Sequence, residues 1–113
     1  MNIQIFGLKK CSETKKAERF FKERNIKFQM INLAEKKMSK GEFQSISRSI
    51  PPKSLIDTES GEYKKQNLQY MSFSPEEKLM ENPLLFKTPV VRNGNKATSG
   101  YTPETWKKWI EEK

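Results

Sequence analysis

Apolar and polar positions alternate at two different periods along this chain, and the switch between them marks its elements. Ile3, Ile5 and Phe6 punctuate Asn2–Phe6 in the manner of a short strand. From Ser12 the apolar positions Ala17, Phe20 and Phe21 recur at helical spacing, with Lys and Glu between them, so an amphipathic helix is expected over Ser12–Lys27. Ser12 is a candidate N-cap and Asn25 a candidate stop. Lys27–Asn32 alternates again and reads as a second strand. Strand, helix and strand within some thirty residues form a βαβ unit, which implies parallel pairing through a right-handed crossover.

The middle of the chain reads as helical and polar. Ser39 caps a segment with Phe43, Ile46 and Ile50 on one face, which Pro51-Pro52 ends. Asp57–Gly61 is a turn, and Tyr63–Leu68 a short helical piece. Ser74-Pro75-Glu76-Glu77 combines a serine cap, a proline at the first helical position and a glutamate at the third; Asn82-Pro83 closes that helix. The two glutamates therefore read as a helix start and not as a catalytic acid pair. Pro89–Arg92 and Asn95–Thr98 flank Asn93-Gly94, the pair favoured in a type I′ hairpin turn. Thr102-Pro103-Glu104 then starts a last helix carrying Trp106, Trp109 and Ile110, which read as packing residues. The expected architecture is α/β: one domain over residues 1–113, with a four-stranded mixed sheet in the order 2-1-3-4 and a helical insertion at about 39–82.

Composition narrows the chemistry. The chain has one cysteine, Cys11, and no histidine, which excludes an internal disulfide, a Cys/His zinc site and a Cys–His catalytic pair. No metal site is expected. No apolar run approaches the roughly 20 residues of a membrane span, and no signal peptide is read at the N-terminus, so a cytoplasmic, reduced-thiol setting without membrane association is expected. The net charge of +8 is spread among interleaved acids, which reads as a solvated surface; direct nucleic-acid binding is not expected, and a monomer is.

Cys11 stands where a strand gives way to a helix. A lone cysteine is commonly a small buried hydrophobe. At a helix N-terminus, however, unpaired N–H groups favour the thiolate. The backbone N–H groups of Ser12 and Glu13, with Lys9 and Lys10, are expected to stabilise that anion. Thr14 either donates to the sulfur or serves as a first-turn cap.

Four ordered segments carry a resemblance. Gly7-x-x-x-Cys11-Ser12-x-Thr14-x-Lys16-Ala17, the Leu55–Gly61 segment followed by Tyr63, Asn82–Val91, and Gly100-Tyr101 resemble the arsenate-reductase-like (ArsC/Spx/YffB) family of the thioredoxin superfamily. The resemblance spans nearly the whole chain. It implies a thioredoxin-like fold, Cys11 as catalytic nucleophile, and a cis Thr88-Pro89 bond facing the thiol. It also implies that Lys87, Thr88 and Pro89 contact substrate, the last two through backbone groups. The places of the three oxyanion-binding arginines of arsenate reductases hold Glu59-Ser60-Gly61, Lys87-Thr88-Pro89 and Ser99-Gly100-Tyr101, none of them arginine. Arsenate reduction is therefore not expected. In the redox-sensing regulators that bind RNA polymerase the switch is a Cys-x-x-Cys pair; here it is Cys11-Ser12-Glu13-Thr14, with no second thiol. Two readings follow. One is a monothiol, glutaredoxin-like oxidoreductase that binds no cofactor and uses a low-molecular-weight thiol as cosubstrate, acting on a small thiol or protein mixed disulfide. The other is a non-enzymatic, Spx-like interaction protein with RNA polymerase as partner.

Overall fold

The computed structural model describes residues 2–112. Four strands, β1 (Ile3–Gly7), β2 (Phe28–Asn32), β3 (Val90–Asn93) and β4 (Lys96–Ser99), form one sheet in the order β2-β1-β3-β4. β1 pairs parallel with β2, with Ile3 opposite Phe28, and antiparallel with β3, with Phe6 opposite Val90. This is the mixed sheet that the βαβ unit and the hairpin predict.

Because successive strand residues face opposite sides, β1 and β3 feed two cores. Ile3, Ile5 and Val91 turn toward α1 (Ser12–Glu23) and α6 (Pro103–Glu111), where they meet Ala17, Phe20, Phe21, Trp106 and Trp109. Phe6 and Val90 turn the other way, onto Ile31, Phe43, Ile46, Leu55, Leu79 and Phe86. That second face is covered by the segment between the two halves of the sheet, with α2 (Lys40–Ser49), α3 (Pro52–Leu55), α4 (Gly61–Lys65) and α5 (Pro75–Glu81). No helix among the described residues is long and apolar enough to cross a membrane.

Local signals account for most of the boundaries. Ser39 caps α2 in a reciprocal box with Glu42: the Ser39 Oγ accepts from the Glu42 N–H at 3.1 Å, and Glu42 Oε1 accepts from the Ser39 N–H at 2.9 Å. Asp57 Oδ1 accepts the Glu59 N–H at 3.0 Å and shapes the turn before α4. Glu62 Oε1 accepts from Gln66 and Asn82 at 2.9 and 2.8 Å, tying α4 to the loop that re-enters the sheet; these donors hold the Glu62 carboxyl below its ordinary range.

Three boundaries differ from the sequence expectation. α1 is capped by Cys11, not Ser12, and ends at Glu23, because Asn25 adopts φ +56 and turns the chain before β2 begins at Phe28. The hairpin turn is Gly94-Asn95, since Asn93 pairs with Lys96. A positive φ at Gly94, without one at Asn95, fits a type II′ turn and not the type I′ that Asn-Gly favours. Tyr63–Leu68 divides into the end of α4 and a 3-10 turn at Leu68–Tyr70.

Trp106 is the largest fully buried side chain. Its Nε1–H donates to the buried Thr98 Oγ1 at 2.9 Å, and its ring packs on Phe20, Phe21 and Tyr101. Trp106→Ala is expected to lower unfolding free energy by about 3–5 kcal/mol. Neighbouring, exposed Lys107→Ala should stay within about 0.5 kcal/mol of the parent. Urea denaturation followed by far-ultraviolet circular dichroism measures both.

Candidate functional site

The register of β1 against β3 places the turn leaving β1 beside the turn entering β3. The first runs from Gly7 to Cys11, closed by the Cys11 N–H donating to the Leu8 carbonyl at 3.0 Å. Cys11 is extended (φ −80, ψ 116), and its carbonyl accepts the Lys15 N–H at 3.2 Å to open α1. The second turn holds Thr88 and Pro89, joined by a cis peptide bond, as expected. The Thr88 Oγ1–H donates to Cys11 Sγ at 3.1 Å across 77 positions of sequence. The Cys11 thiol itself faces the Thr88 carbonyl at 3.8 Å.

Beneath the sulfur lies Thr14, one turn into α1 and only 1% exposed. Its hydroxyl completes no hydrogen bond with the thiol at rest and has no other partner. A buried, unpaired hydroxyl carries a desolvation cost, which an ionised sulfur would relieve by accepting its proton. Gly7 makes room for it, since a Cβ built there would overlap the Thr14 side chain.

Cys11 is partly buried, and burial, the largest single influence on its pKa, opposes ionisation. The opposing donors outweigh it together: the hydroxyls of Thr14 and Thr88, then the backbone N–H groups of Thr14 and Glu13, so the thiol sits below its ordinary pKa. The source of that shift differs from the sequence expectation in two respects. The amides are those of Glu13 and Thr14, because Ser12 is the first helical residue and its N–H is not among the donors to the sulfur. The lysines do not carry the effect: the Lys9 ammonium lies 3.6 Å from Glu35, with both side chains in solvent, and Lys10 is exposed.

At the entry to β3, Lys87 is fastened through its backbone, its N–H donating to the Leu55 carbonyl at 2.7 Å and its carbonyl accepting from Ser99 Oγ at 2.7 Å. Its side chain lies over Gly100, as does the Glu13 carboxylate: a Cβ on Gly100 would be 3.7 Å from Lys87 Cε and 3.9 Å from Glu13 Oε2. The Pro89 carbonyl accepts the Gly100 N–H at 2.8 Å. Thr88 is engaged chiefly through its hydroxyl. The spacing of Gly7, Cys11 and Thr14 was visible in the sequence, but the dependence of Thr14 on a bare Gly7 was not.

A family model described as the ArsC family matches residues 6–109. The chain belongs to the ArsC family. Global transcriptional regulator Spx 2 of Oceanobacillus iheyensis is 28% identical, over 100% of this chain and 87% of that protein. The uncharacterised protein YusI of Bacillus subtilis is 26% identical over 89% and 92% of the two chains. Among solved structures, an ArsC family related protein from Bacteroides fragilis superposes with a TM-score of 0.84 at 25% identity, covering 96% of this chain and 97% of that one. An arsenate reductase from Vibrio cholerae gives 0.80 at 22% identity, covering 96% and 97%, a likeness of fold.

This ArsC-family cysteine is thus set among neutral donors. Thr14→Val and Thr88→Val are each expected to raise the Cys11 pKa, read as the midpoint of thiolate absorbance in the ultraviolet. A Lys9→Gln/Lys10→Gln variant should leave it near the parent. The folded-state pKa lies below the unfolded one, so the thiolate adds stability that is fully present above the unfolded pKa, about 8.5, and is lost as pH falls through the folded pKa. Denaturation of the parent and of Cys11→Ser across that window should show the dependence in the parent alone.

Proposed function

We propose that the protein is a monothiol thiol–disulfide oxidoreductase with Cys11 as its nucleophile. The observation that carries this reading is the donor set around the sulfur. Two threonine hydroxyls and two helix amides favour the anion, and one of those hydroxyls is buried and otherwise unpaired. A structural thiol has no use for such an arrangement.

The reaction needs one cysteine. The Cys11 thiolate attacks a sulfur of a mixed disulfide between a protein and a small thiol. The S–S bond breaks, the protein thiolate leaves with the bonding electron pair, and Cys11 holds the small thiol in a new disulfide. A second molecule of the small thiol, as thiolate, attacks that disulfide, releasing the symmetric small-molecule disulfide and restoring the Cys11 thiolate. Donors to Cys11 sulfur lower its nucleophilicity somewhat while raising the ionised fraction and improving it as the leaving group of the second step. Thr88 and Lys87 border the approach to the sulfur and are the residues proposed to meet substrate. A reduced cytoplasmic thiol pool would supply the second thiol.

Arsenate is a poor substrate on this reading. Lys87 is the one cation at the three places where the family resemblance implies arginines, and a lone ammonium cannot grip a tetrahedral oxyanion in the bidentate way that guanidinium does. A second reading draws on the 28% match to a protein named as a global transcriptional regulator: a regulator that docks on RNA polymerase without turnover. Thr14 in place of a second cysteine leaves such a regulator without a dithiol switch in cis.

Reduction of a protein–small-thiol mixed disulfide, followed by release of the protein thiol, separates the readings. Turnover with ping-pong kinetics is expected for the parent and the uncatalysed rate for Cys11→Ser. Arsenate-dependent oxidation of the same small thiol should stay at background. Retention of RNA polymerase by the immobilised protein, without disulfide turnover, would favour the regulator.

A further inference from the structure

One face of α1 and the loop before α6 enclose a concavity of about 360 Å³, lined by Lys16, Arg19, Phe20, Glu23, Arg24 and Tyr101. The five positions from Lys16 to Arg24 follow the i, i+3, i+4, i+7, i+8 spacing of a single helical face. Tyr101 is 42% exposed, yet its ring is braced edge-on by the fully buried Trp106 at 5.6 Å. An exposed aromatic ring held in place by the core is a platform on which a flat ring stacks.

Charge lines the rest of the concavity. Arg24 is fixed: its guanidinium lies 3.8 Å over the Phe20 ring, and its Nη1–H donates to the Phe20 carbonyl at 3.1 Å. The Lys16 ammonium lies 5.8 Å from the centre of the Tyr101 ring, which sets the platform at the Lys16 end of the face. From there to Arg24 the face runs about 12 Å along the helix axis. The ion pairs of the described residues, Lys9–Glu35, Lys78–Glu81 and Lys96–Glu112, use none of Lys16, Arg19 and Arg24. Glu23 is the one carboxylate of the lining.

These groups make three demands on a ligand. The platform asks for a flat ring, and Glu23 for hydroxyl or amino donors. Three cations ask for an anion of more than one charge, and guanidinium groups grip phosphate in bidentate fashion. Inorganic phosphate meets only the last demand. We propose that the concavity binds a nucleoside 5′-phosphate, with the base on Tyr101, the phosphate on Arg19 and Arg24, and Glu23 accepting from the ribose hydroxyls. The Lys16 ammonium, on its flexible stem, leaves the ring as the base stacks and joins the phosphate. Cys11 takes no part in this binding, so the site is independent of thiol exchange.

Titration of the isotope-labelled full chain with AMP, adenosine and inorganic phosphate, followed by amide shifts, tests the site. AMP should shift Lys16, Arg19 and Tyr101 saturably and bind at least about tenfold more tightly than either of its parts. Tyr101→Ala should weaken AMP about tenfold, while Tyr101→Phe, which keeps the ring, stays within about twofold of the parent. Lys16→Gln/Arg19→Gln, at two exposed positions, should weaken AMP about tenfold, reduce the salt dependence of its binding and leave adenosine unchanged. A 5′-phosphorylated RNA tetramer distinguishes the source of the ligand: binding equal to that of AMP assigns the site to strand ends, and exclusion assigns it to the free nucleotide. Equal affinity for AMP and inorganic phosphate, shifts confined to other surfaces, or a folded Tyr101→Ala variant that binds AMP like the parent would overturn the proposal. If Tyr101→Ala does not fold, the lysine–arginine variant decides in its place, and parent-like AMP binding by it overturns the site.

Discussion

The pairing of Phe6 with Val90 is the constraint on which the site depends. It is one step of an antiparallel ladder between the first and third strands, and it fixes which turns share an end of the sheet. Shifting that register by one residue would turn the apolar set of β3 to the wrong faces, since Val90 packs toward the insertion and Val91 toward α1 and α6. The two cores therefore hold the ladder in place, and the ladder in turn holds Thr88 within hydrogen-bonding distance of Cys11. Neither residue could find the other through local structure, separated as they are by most of the chain.

Given that frame, the thiol's character comes from small neutral groups. Fixed surface charges are a weak lever on a partly buried sulfur, because solvent screens them and the flexible lysine stems are free to turn away, as Lys9 does toward Glu35. A hydroxyl packed under the sulfur and amides at the head of α1 are held by the backbone and keep their direction. Together with the Thr88 hydroxyl, they outweigh the opposing effect of burial. Gly7 belongs to the same device, because any side chain at that point would displace Thr14.

Much of this was legible in the chain. Period-two and helical spacing located the strands and α1, and the capping residues Ser39 and Ser74 marked two helix starts that the structure retains. The strand order followed from one βαβ unit and one hairpin. The errors arose where two residues carry nearly the same local signal. Asn93-Gly94 and Gly94-Asn95 are both good turn pairs, and the pairing of Asn93 with Lys96 chose the second. Cys11 and Ser12 both suit the start of a helix, and the turn closed by Leu8 made the cysteine the cap. The lysines around Cys11 looked like its stabilisers because sequence shows charge and hides direction. The occupation of the Pro89 carbonyl by Gly100 is a tertiary fact that no local pattern announces.

The chemistry assigned to Cys11 requires a covalent intermediate that an external thiol resolves. Rapid mixing of the protein with a protein–small-thiol mixed disulfide, acid quenching and intact-mass measurement would capture it. The expected result is a single small-thiol adduct on Cys11, formed in step with release of the protein thiol, and lost on addition of more small thiol. Release without an adduct, or an adduct that the small thiol fails to remove, would contradict the account.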